Sequence, residues 1–385
     1  MLFVASFLNY FDRQTLSILK PLIKSEYGMT DTDYSKLVVL FMAPYIVMYA
    51  LGGRIVDRIG SRWAMTLFVS VWSTATLFAG WATSLRQFAV SRFVLGVAEP
   101  GNFPAAMRAT KTWFPPERRG FAVSIFSAGS ALGAVAAPPL VALMVHSFGW
   151  RSAFWLPGGL GLVWAITWWL LYRNPATTGV KAEPDPPMSW RSVWTSRVLW
   201  GIVLARFISD PVWYFYLFWL PGYFQEALGL TLSEAGWIGW IPFLVADAGG
   251  IALTSYSDRL VARGHSAAGA RLRILGGVAF LAPLGLLSTY SPQIWMALTI
   301  FSLVGTMCLT WFFSTATLLG DLFPKNAVAS ALGIAGAFGA LGGLLFNAVI
   351  GPIIDRTGYA PVFIASALLH PAAYLVLRLL VRPKR

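Results

Sequence analysis

The chain has 385 residues, of which 57% are hydrophobic and 12% are charged, about half the charged fraction of a soluble domain. A water-soluble core of this length has no room for so much apolar surface. The composition therefore excludes an ordinary soluble enzyme, a disordered protein and a disulfide scaffold, and it indicates a membrane protein with many spans. The formal charge of +13 is explained by basic loops that set membrane topology, so no nucleic-acid partner is expected.

Apolar runs between charged or Gly/Pro-rich breaks predict twelve spanning helices, each of roughly 20 residues. The predicted spans are 1–23, 34–55, 63–82, 87–107, 120–145, 152–171, 198–223, 235–256, 272–290, 293–319, 327–350 and 359–381. The long polar stretch 172–197 is predicted to be a cytoplasmic linker between two six-helix bundles, 1–171 and 198–385. The first residues do not fit a cleavable signal peptide, and the short lead before span one suggests a truncated or misassigned start.

The distribution of basic residues predicts the orientation. With both termini inside, 20 of the 29 Lys and Arg residues fall in cytoplasmic segments and 6 fall outside. The other three, Arg13, Arg92 and Arg206, lie within spans. This bias predicts that both termini are cytoplasmic.

One pattern recurs at the ends of predicted helices. It begins at Gly53, at Thr254 (where the leading glycine is replaced) and at Gly351, and each copy contains an Asp-Arg pair followed by a glycine. The third copy follows an odd-numbered span, so it faces the opposite side of the membrane. Such a recurrence is typical of three-helix repeats with inverted topology.

The first copy, Gly53-Arg-Ile-Val-Asp57-Arg58-Ile-Gly60-Ser-Arg62, resembles the loop 2–3 signature of the major facilitator superfamily, and the resemblance covers the whole chain. Three further motifs resemble its anion:cation symporter branch: Asn9-Tyr-Phe-Asp12-Arg13-Gln-Thr-Leu-Ser17, Arg92-Phe-Val-Leu-Gly96-Val-Ala-Glu99 and Phe114-Pro-Pro-Glu117-Arg118-Arg119-Gly120. Segments of the second half are similar to the hexuronate transporters of that branch: Trp200-Gly-Ile-Val-Leu-Ala-Arg206 leading to Asp210, Ala246-Asp247 and Ala340-Leu-Gly-Gly-Leu-Leu-Phe346.

The resemblance implies an all-α polytopic membrane protein with the major facilitator fold, in which two pseudo-symmetric six-helix bundles surround a central cavity. It also implies a bacterial inner-membrane importer that moves an organic acid anion, such as a hexuronate, by proton symport with alternating access. We expect a monomer that needs neither a cofactor nor a metal.

Span one carries two adjacent charged residues, Asp12 and Arg13. Adjacent helical side chains point about 100° apart, so these two do not form one tight pair. A charge inside a bilayer costs about 2.5–3.5 kcal/mol, and Arg13 offers a planar fork of donors that suits a carboxylate. The resemblance implies that Arg13 binds the substrate carboxylate; a structural ion pair with Asp12 or Glu99 is the alternative.

Asp12 and Glu99 are candidate proton carriers, because a desolvated carboxyl that loses its neighbouring cation takes up a proton more readily. The alternative is a structural ion pair between Glu99 and either Arg13 or Arg92. Arg92 lies two helical turns before Glu99 and need not touch it directly. The Pro-Gly that follows Glu99 predicts a break or bend in span four.

In the second half, Arg206 and Asp210 are four residues apart in span seven, a spacing that predicts a salt bridge within one helix. Asp247 in span eight has no partner nearby in the sequence. It either binds substrate hydroxyls or pairs with Arg206.

A sugar-like anion also needs hydroxyl partners and flat apolar walls. The candidates are Tyr10, Tyr45, Ser130, Trp213, Tyr214, Trp311 and Ser314. Most aromatic residues of such a chain face lipid or the core, but the resemblance places Tyr45 and Ser130 at positions that line the cavity.

The loop of the first copy is predicted to be a gate in which charge pairs hold the two halves together in one conformation and release them in the other. The candidate gating residues are Gly53, Asp57, Arg58, Gly60, Arg62, Asp258 and Arg259. Their basic residues also keep the loops inside, and this topological role does not exclude the gating role.

Three other functions remain open. An aromatic or dicarboxylic acid is an alternative substrate within the same branch, and the abundant tryptophans would suit an aromatic acid. A drug/proton antiporter is disfavoured by Arg13 and by an incomplete span-five signature, which has Gly120, Gly129 and Gly133 but no Gly-Pro at 133. A transporter-like receptor or scaffold should have lost the intramembrane charges. No nucleophile–base set suggests an enzyme.

Overall fold

The computed structural model describes residues 1–114, 116–173, 194–290, 293–323 and 325–381, and these residues contain helices but no β-strand. The helices of the first half are α1 (Leu2–Ile18), α2 (Lys20–Tyr27), α3 (Asp31–Trp81), α4 (Leu85–Ala98), α5 (Asn102–Trp113), α6 (Pro116–Phe148) and α7 (Ser152–Leu171). Those of the second half are α8 (Arg197–Glu226), α9 (Leu232–Ile238), α10 (Ile241–Ala262), α11 (Ala267–Leu281), α12 (Ile294–Leu322), α13 (Lys325–Thr357) and α14 (Ala360–Leu380).

Within the described ranges, nine helical stretches are long and apolar enough to cross a membrane. Predicted spans one, two and four are not among them, and each has a local cause. Helix α1 has 17 residues and α4 has 14. The first part of α3 begins with three charged residues, Asp31, Asp33 and Lys36. Large apolar side chains on the exterior, such as Phe121 (70% exposed) and Phe148 (73% exposed), suit a surface that faces lipid.

Two interruptions of the helices occur at proline and glycine residues. A 3₁₀ turn, Glu99–Gly101, separates α4 from α5, which confirms the predicted break in span four. The predicted loop between spans two and three is helical instead, and α3 is interrupted only by a kink at Gly60, whose φ of +80° is a left-handed conformation that favours glycine. Gly358 closes the third copy of the repeat with a similar φ of +74°.

The predicted first span is also interrupted, since α1 ends at Ile18 and α2 begins at Lys20. Pro21 occupies one of the first positions of α2, where a missing N–H is tolerated. The chain therefore enters a second, more polar helix before it reaches α3.

Two compact units are distinguished by their internal contacts. One comprises Met1–Ala182 with Phe218–Trp240, and the other comprises Glu183–Leu217 with Ile241–Arg385. The predicted second bundle, 198–385, contains Phe218–Trp240, whereas the structure groups this segment with the first unit. Most of the predicted linker 172–197 lies outside the described residues.

Glycines allow helices to approach closely around the two charged helices α1 and α8. A Cβ built on Gly129 or Gly133 of α6 would lie 2.2 Å from the Phe3 carbonyl oxygen or 2.4 Å from that of Phe7. In the second unit, a Cβ on Gly342 of α13 would lie 2.1 Å from the Phe207 carbonyl oxygen. Small residues at such positions let membrane helices pack backbone to backbone, which places α1 against α6 and α8 against α13.

Candidate functional site

The polar centre of the first unit is an ion pair between α1 and the 3₁₀ turn. Arg13 donates from Nε and Nη2 to the same oxygen, Glu99 Oε2, at 3.1 and 2.8 Å. Arg13 is 7% exposed and Glu99 is 1% exposed. The turn at Pro100 ends α4 at this point, so Glu99 faces α1 from a break in its own helix. Of the predicted alternatives, the structure shows Arg13 paired with Glu99.

Three aromatic rings surround the Arg13 guanidinium. Its Cζ lies 4.8 Å from the centroid of Tyr10, 4.9 Å from that of Tyr45 and 5.6 Å from that of Phe41. A cation this close to aromatic faces is stabilised by cation–π attraction. Tyr10 and Tyr45, two of the predicted substrate residues, therefore lie beside Arg13, and the sequence analysis did not identify Phe41.

Asp12 does not contact Arg13 and faces α3 instead. Its Oδ2 accepts a hydrogen bond of 3.1 Å from Thr76 Oγ1. Within the described part of the chain, Asp12 Oδ1 and Glu99 Oε1 are buried without a hydrogen-bond partner. Sequence reasoning missed Thr76; the only signal was a Thr within an otherwise apolar span.

A second buried cation lies close to this centre. Arg92 is buried in α4, its Cζ lies 5.3 Å from the Phe41 centroid, and its Nε has no hydrogen-bond partner among the described residues. The structure shows no ion pair between Arg92 and Glu99. Asn9 Nδ2 donates to the Glu99 carbonyl at 3.3 Å and thereby attaches α1 to the turn.

The chemistry of this centre follows from its charge balance. Two buried arginines face two buried carboxyls, and each carboxyl leaves one oxygen without a partner in the described residues. A buried carboxylate is stable only while it is paired, whereas a protonated carboxyl needs no cation. The centre is therefore able to hold protons on its carboxyls and an anion on its arginines.

The second unit contains a simpler pair. Arg206 donates from Nε and Nη2 to Asp210 Oδ2 at 3.0 and 2.7 Å within α8, which confirms the predicted salt bridge. The Arg206 Cζ lies 4.7 Å from the Phe312 centroid. Half-buried Asp247 in α10 makes no hydrogen bond or ion pair with the described residues, so Asp210, and not Asp247, is the ion-pair partner found for Arg206.

The remaining substrate candidates are scattered. Ser130 is half-buried on α6, and the half-buried Trp213 ring meets Phe243 edge-on at 6.2 Å. Half-buried Tyr214 packs against Gly343, where an added Cβ would lie 2.3 Å from the ring.

Trp311 and Ser314, the last two substrate candidates, both lie in the interior of the second unit. Trp311 belongs to the hydrophobic core of the second unit and packs edge-on against His370 at 5.5 Å. Ser314 is fully buried on the same helix, α12. A tryptophan in an apolar span is able to pack in the hydrophobic core or to line a cavity, and Trp311 packs in the core.

The predicted gating residues of the first copy make contacts within the first unit. Asp57 is 81% exposed at its side chain, and its Oδ1 lies 3.8 Å from Arg108 Nη1, which also donates to the Val56 carbonyl. Arg62 donates to the Trp169 carbonyl from Nε and Nη2 at 3.0 and 2.6 Å. Gly53 and Gly60 have open space around them, and Arg58 is exposed.

The second copy makes a comparable set of contacts within the second unit. Arg271 bonds Asp258 at 2.6 Å and Asp321 at 3.3 Å, and it also donates to Ser257. Arg259 is exposed. Arg108 and Arg271 thus reach these aspartates from neighbouring helices of the same unit.

Comparisons with known proteins agree on one family. The sequence model of the Major Facilitator Superfamily matches residues 2–346. The chain is 30% identical over 396 residues to the hexuronate transporter of Escherichia coli strain K12, covering 96% of this chain and 90% of that protein. It is 28% identical over 411 residues to the D-galactonate transporter of Escherichia coli O6:H1, covering 98% and 94%. A crystal structure of a D-xylose–proton symporter has the same fold, with a TM-score of 0.80 at 15% identity over 99% of this chain and 96% of that chain.

Proposed function

Because the chain belongs to the Major Facilitator Superfamily of membrane transporters, we propose that it imports a sugar-acid anion, such as a hexuronate, by proton symport across a bacterial inner membrane. Both termini lie on the cytoplasmic side in this proposal, as the basic loops indicate. The relatives named as hexuronate and D-galactonate transporters support the substrate class. The observation that carries the proposal is the buried ion pair in which two donors of Arg13 converge on one oxygen of Glu99.

Arg13 recognises the substrate by its carboxylate. The Nε and Nη2 donors form one edge of the guanidinium, and this edge matches a carboxylate in charge and geometry. A substrate carboxylate is chemically the same ligand as the Glu99 side chain that now occupies the edge. The two carboxylates therefore compete for Arg13.

This competition couples the anion to a proton. If the substrate displaces Glu99, an ionised Glu99 is left buried without its cation, which is strongly unfavourable. Protonation removes that charge and frees the Arg13 edge at the same time. Proton binding and anion binding then favour each other by linkage, which is the thermodynamic requirement of symport. Asp12, with one oxygen unpartnered in the described residues, supplies a second position for a proton.

The surroundings of Arg13 suit the rest of a sugar acid. Tyr10 and Tyr45 present aromatic faces to the apolar C–H side of a sugar ring and hydroxyl groups to its hydroxyls. Ser130, half-buried on α6 of the same unit, is the additional hydroxyl partner that we propose. Rocking of the two bundles then exposes the loaded site to either side in turn.

A second candidate substrate is an aromatic carboxylate. The observation that favours it is the presence of three aromatic rings within 5.6 Å of the Arg13 guanidinium. Such a box would hold a flat apolar acid as well as a sugar. A cationic drug is disfavoured at the same place because Arg13 repels it.

Purified protein tests the substrate class directly. Thermal-shift measurements with D-galacturonate, D-glucuronate, D-galactonate and phthalate should show stabilisation by the sugar acids and little by phthalate. Proteoliposomes with an imposed inward proton gradient should then accumulate the stabilising acid. Stabilisation by phthalate alone would establish the aromatic alternative, and accumulation that ignores the proton gradient would contradict symport.

A further inference from the structure

Four charged side chains meet where α2, α3 and α8 end or begin. Lys20 Nζ lies 2.6 Å from Asp31 Oδ1 and 2.7 Å from Glu226 Oε2. Lys24 Nζ lies 2.9 Å from Asp31 Oδ2 and 3.1 Å from Glu226 Oε1. Each lysine thus touches both carboxylates, and we call this ring of two cations and two anions the Lys20 cluster. It lies within the first compact unit, to which the end of α8 belongs.

The Lys20 cluster is more than a surface ion pair because its central cation is buried. Lys20 is 0% exposed, and its Nζ lies 4.6 Å from the Trp219 centroid. A buried ammonium is tolerated only with close anionic partners. Burial alone would lower the pKa of Lys24, but its hydrogen bond to Asp31 and the charge of Glu226 raise the pKa overall, so Lys24 also remains charged.

Aromatic contacts continue below the Lys20 cluster on the same faces of α3 and α8. Tyr34 meets Trp219 edge-on at 4.9 Å and donates its hydroxyl to the Phe218 carbonyl at 2.5 Å. About two turns further along α3, Phe41 meets Phe218 at 6.2 Å. Phe41 in turn lies 5.6 Å from the Arg13 guanidinium, so this face of α3 connects the Lys20 cluster to the anion site.

The end of α8 also makes close contacts with α1 and α2. A Cβ built on Gly222 would lie 2.6 Å from Lys20 Cδ, so the stem of Lys20 rests directly on α8. Gln225 Nε2 donates to the Ile18 carbonyl at 2.8 Å. The beginning of α8 groups with the second unit while its last turns, from Phe218 onward, group with the first. The boundary between the two units therefore falls within α8, between Leu217 and Phe218.

We propose that the Lys20 cluster is a latch that closes access to Arg13 from the side predicted to be periplasmic, and that it opens once in every transport cycle. The Asp57 loop lies roughly 40 Å further along α3, on the side predicted to be cytoplasmic, so it does not duplicate this latch. The inference rests on the proposed transport function, but the first experiment below needs no substrate.

The first experiment measures access from outside. Val38 lies between Tyr34 and Phe41 on the helix face that meets α8, and it is buried. A Val38→Cys reporter in a Cys308→Ala background should react slowly with a membrane-impermeant maleimide in right-side-out vesicles. Adding Glu226→Gln leaves both lysines with Asp31 alone and should speed labelling roughly tenfold or more, as a population shift towards the open state.

The matched control is Glu26→Gln, because Glu26 forms an ion pair with Arg151 at 2.9 Å on the same side of the protein. This substitution should leave the labelling rate of Val38→Cys unchanged. Equal rates for Glu226→Gln and the parent, or equal acceleration by the control, would overturn the latch. If labelling behaves as expected but no acid is taken up, the latch stands and the proposed function fails.

A cross-link provides the converse test. A Cβ built on Gly222 would lie 3.5 Å from Lys20 Cβ, within the range of a disulfide. D-galacturonate uptake by Lys20→Cys/Gly222→Cys should be lower when the protein is oxidised than when the same preparation is reduced. The control pair Gly249→Cys/Thr306→Cys, with a corresponding distance of 3.1 Å inside the second unit, should transport in both states. Undiminished uptake by the oxidised Lys20→Cys/Gly222→Cys protein would refute the latch.

Discussion

Each compact unit buries one arginine–carboxylate pair of nearly the same local geometry. The Arg13–Glu99 distance is 2.8 Å and the Arg206–Asp210 distance is 2.7 Å. In both pairs, Nε and Nη2 share a single carboxylate oxygen. The pairs differ in what holds the partners together. Arg206 and Asp210 are one turn apart on α8, whereas Arg13 and Glu99 come from separate elements.

This difference separates a structural pair from an exchangeable one. A pair within one helix moves as a rigid body, so its partners stay together in every conformation. A pair between elements is able to open, and its arginine then accepts another carboxylate. The first unit also has buried Asp12 and Arg92 beside its pair, whereas half-buried Asp247 of the second unit makes no ion pair among the described residues. This difference supports our proposal that anion binding and proton coupling take place in the first unit.

The largest expected effect is that of Arg13→Lys. Lysine keeps the charge but loses the planar edge with two donors, and losing a charge-assisted bond of about 3 kcal/mol corresponds to about a hundredfold in affinity. D-galacturonate uptake into proteoliposomes should fall at least that much. Arg206→Lys is the matched control, and uptake per folded protein should change far less. Equal losses in the two variants would remove the distinction between the pairs.

Glu99→Gln should separate exchange from accumulation. Glutamine neither competes as an anion nor takes up a proton, so Arg13 stays available to the substrate while the coupling is lost. Counterflow exchange of labelled D-galacturonate should continue, and accumulation driven by a proton gradient should disappear. Asp210→Asn should retain gradient-driven accumulation. If Glu99→Gln still accumulates substrate, Glu99 is not the coupling residue.

Stability should respond differently when each pair is removed as a whole. Asp210→Asn leaves Arg206 buried without its anion and should destabilise the protein by about 3–5 kcal/mol. Arg206→Met/Asp210→Ala removes both charges and should recover most of that stability together with uptake. Arg13→Met/Glu99→Ala should recover stability but not uptake. Melting temperatures and uptake measured on the same preparations would show whether either double variant departs from this pattern.

The smallest expected effect is that of Thr76→Val, which removes the hydrogen bond to Asp12 without changing the shape of the side chain. The loss of one such bond amounts to about 1 kcal/mol. Accumulation should persist, with a modest change in its dependence on pH, since Asp12 then lacks a donor that stabilises its ionised form. A pH profile identical to that of the parent would remove Asp12 from the coupling scheme.

The sequence predicted those features of the site that depend on local spacing. The four-residue interval predicted the Arg206–Asp210 pair, and the Pro-Gly after Glu99 predicted the break in span four. The approximate positions of the helices followed from hydropathy. The angle of about 100° between adjacent helical side chains also predicted that Asp12 and Arg13 would point in different directions. Their contacts with different partners, Thr76 for Asp12 and Glu99 for Arg13, confirm this.

The sequence left long-range pairing open because its determinants are spread along the chain. Glu99 was one of two possible partners for Arg13 and lies 86 residues away, and the Gly129 and Gly133 contacts that seat α1 against α6 become apparent only in three dimensions. The Lys20 cluster was missed for the same reason. Lys20 and Lys24 were counted only as loop charges, and their partner Glu226 lies more than 200 residues away.

Proton uptake on substrate binding tests the central claim, competition between Glu99 and the substrate for Arg13, most directly. Isothermal titration of purified protein with D-galacturonate, in buffers of different ionisation enthalpy, measures the protons taken up for each substrate bound. The parent should take up close to one proton per substrate near neutral pH, and Glu99→Gln should bind the acid with almost none. Equal proton uptake by both proteins would contradict the competition between Glu99 and the substrate.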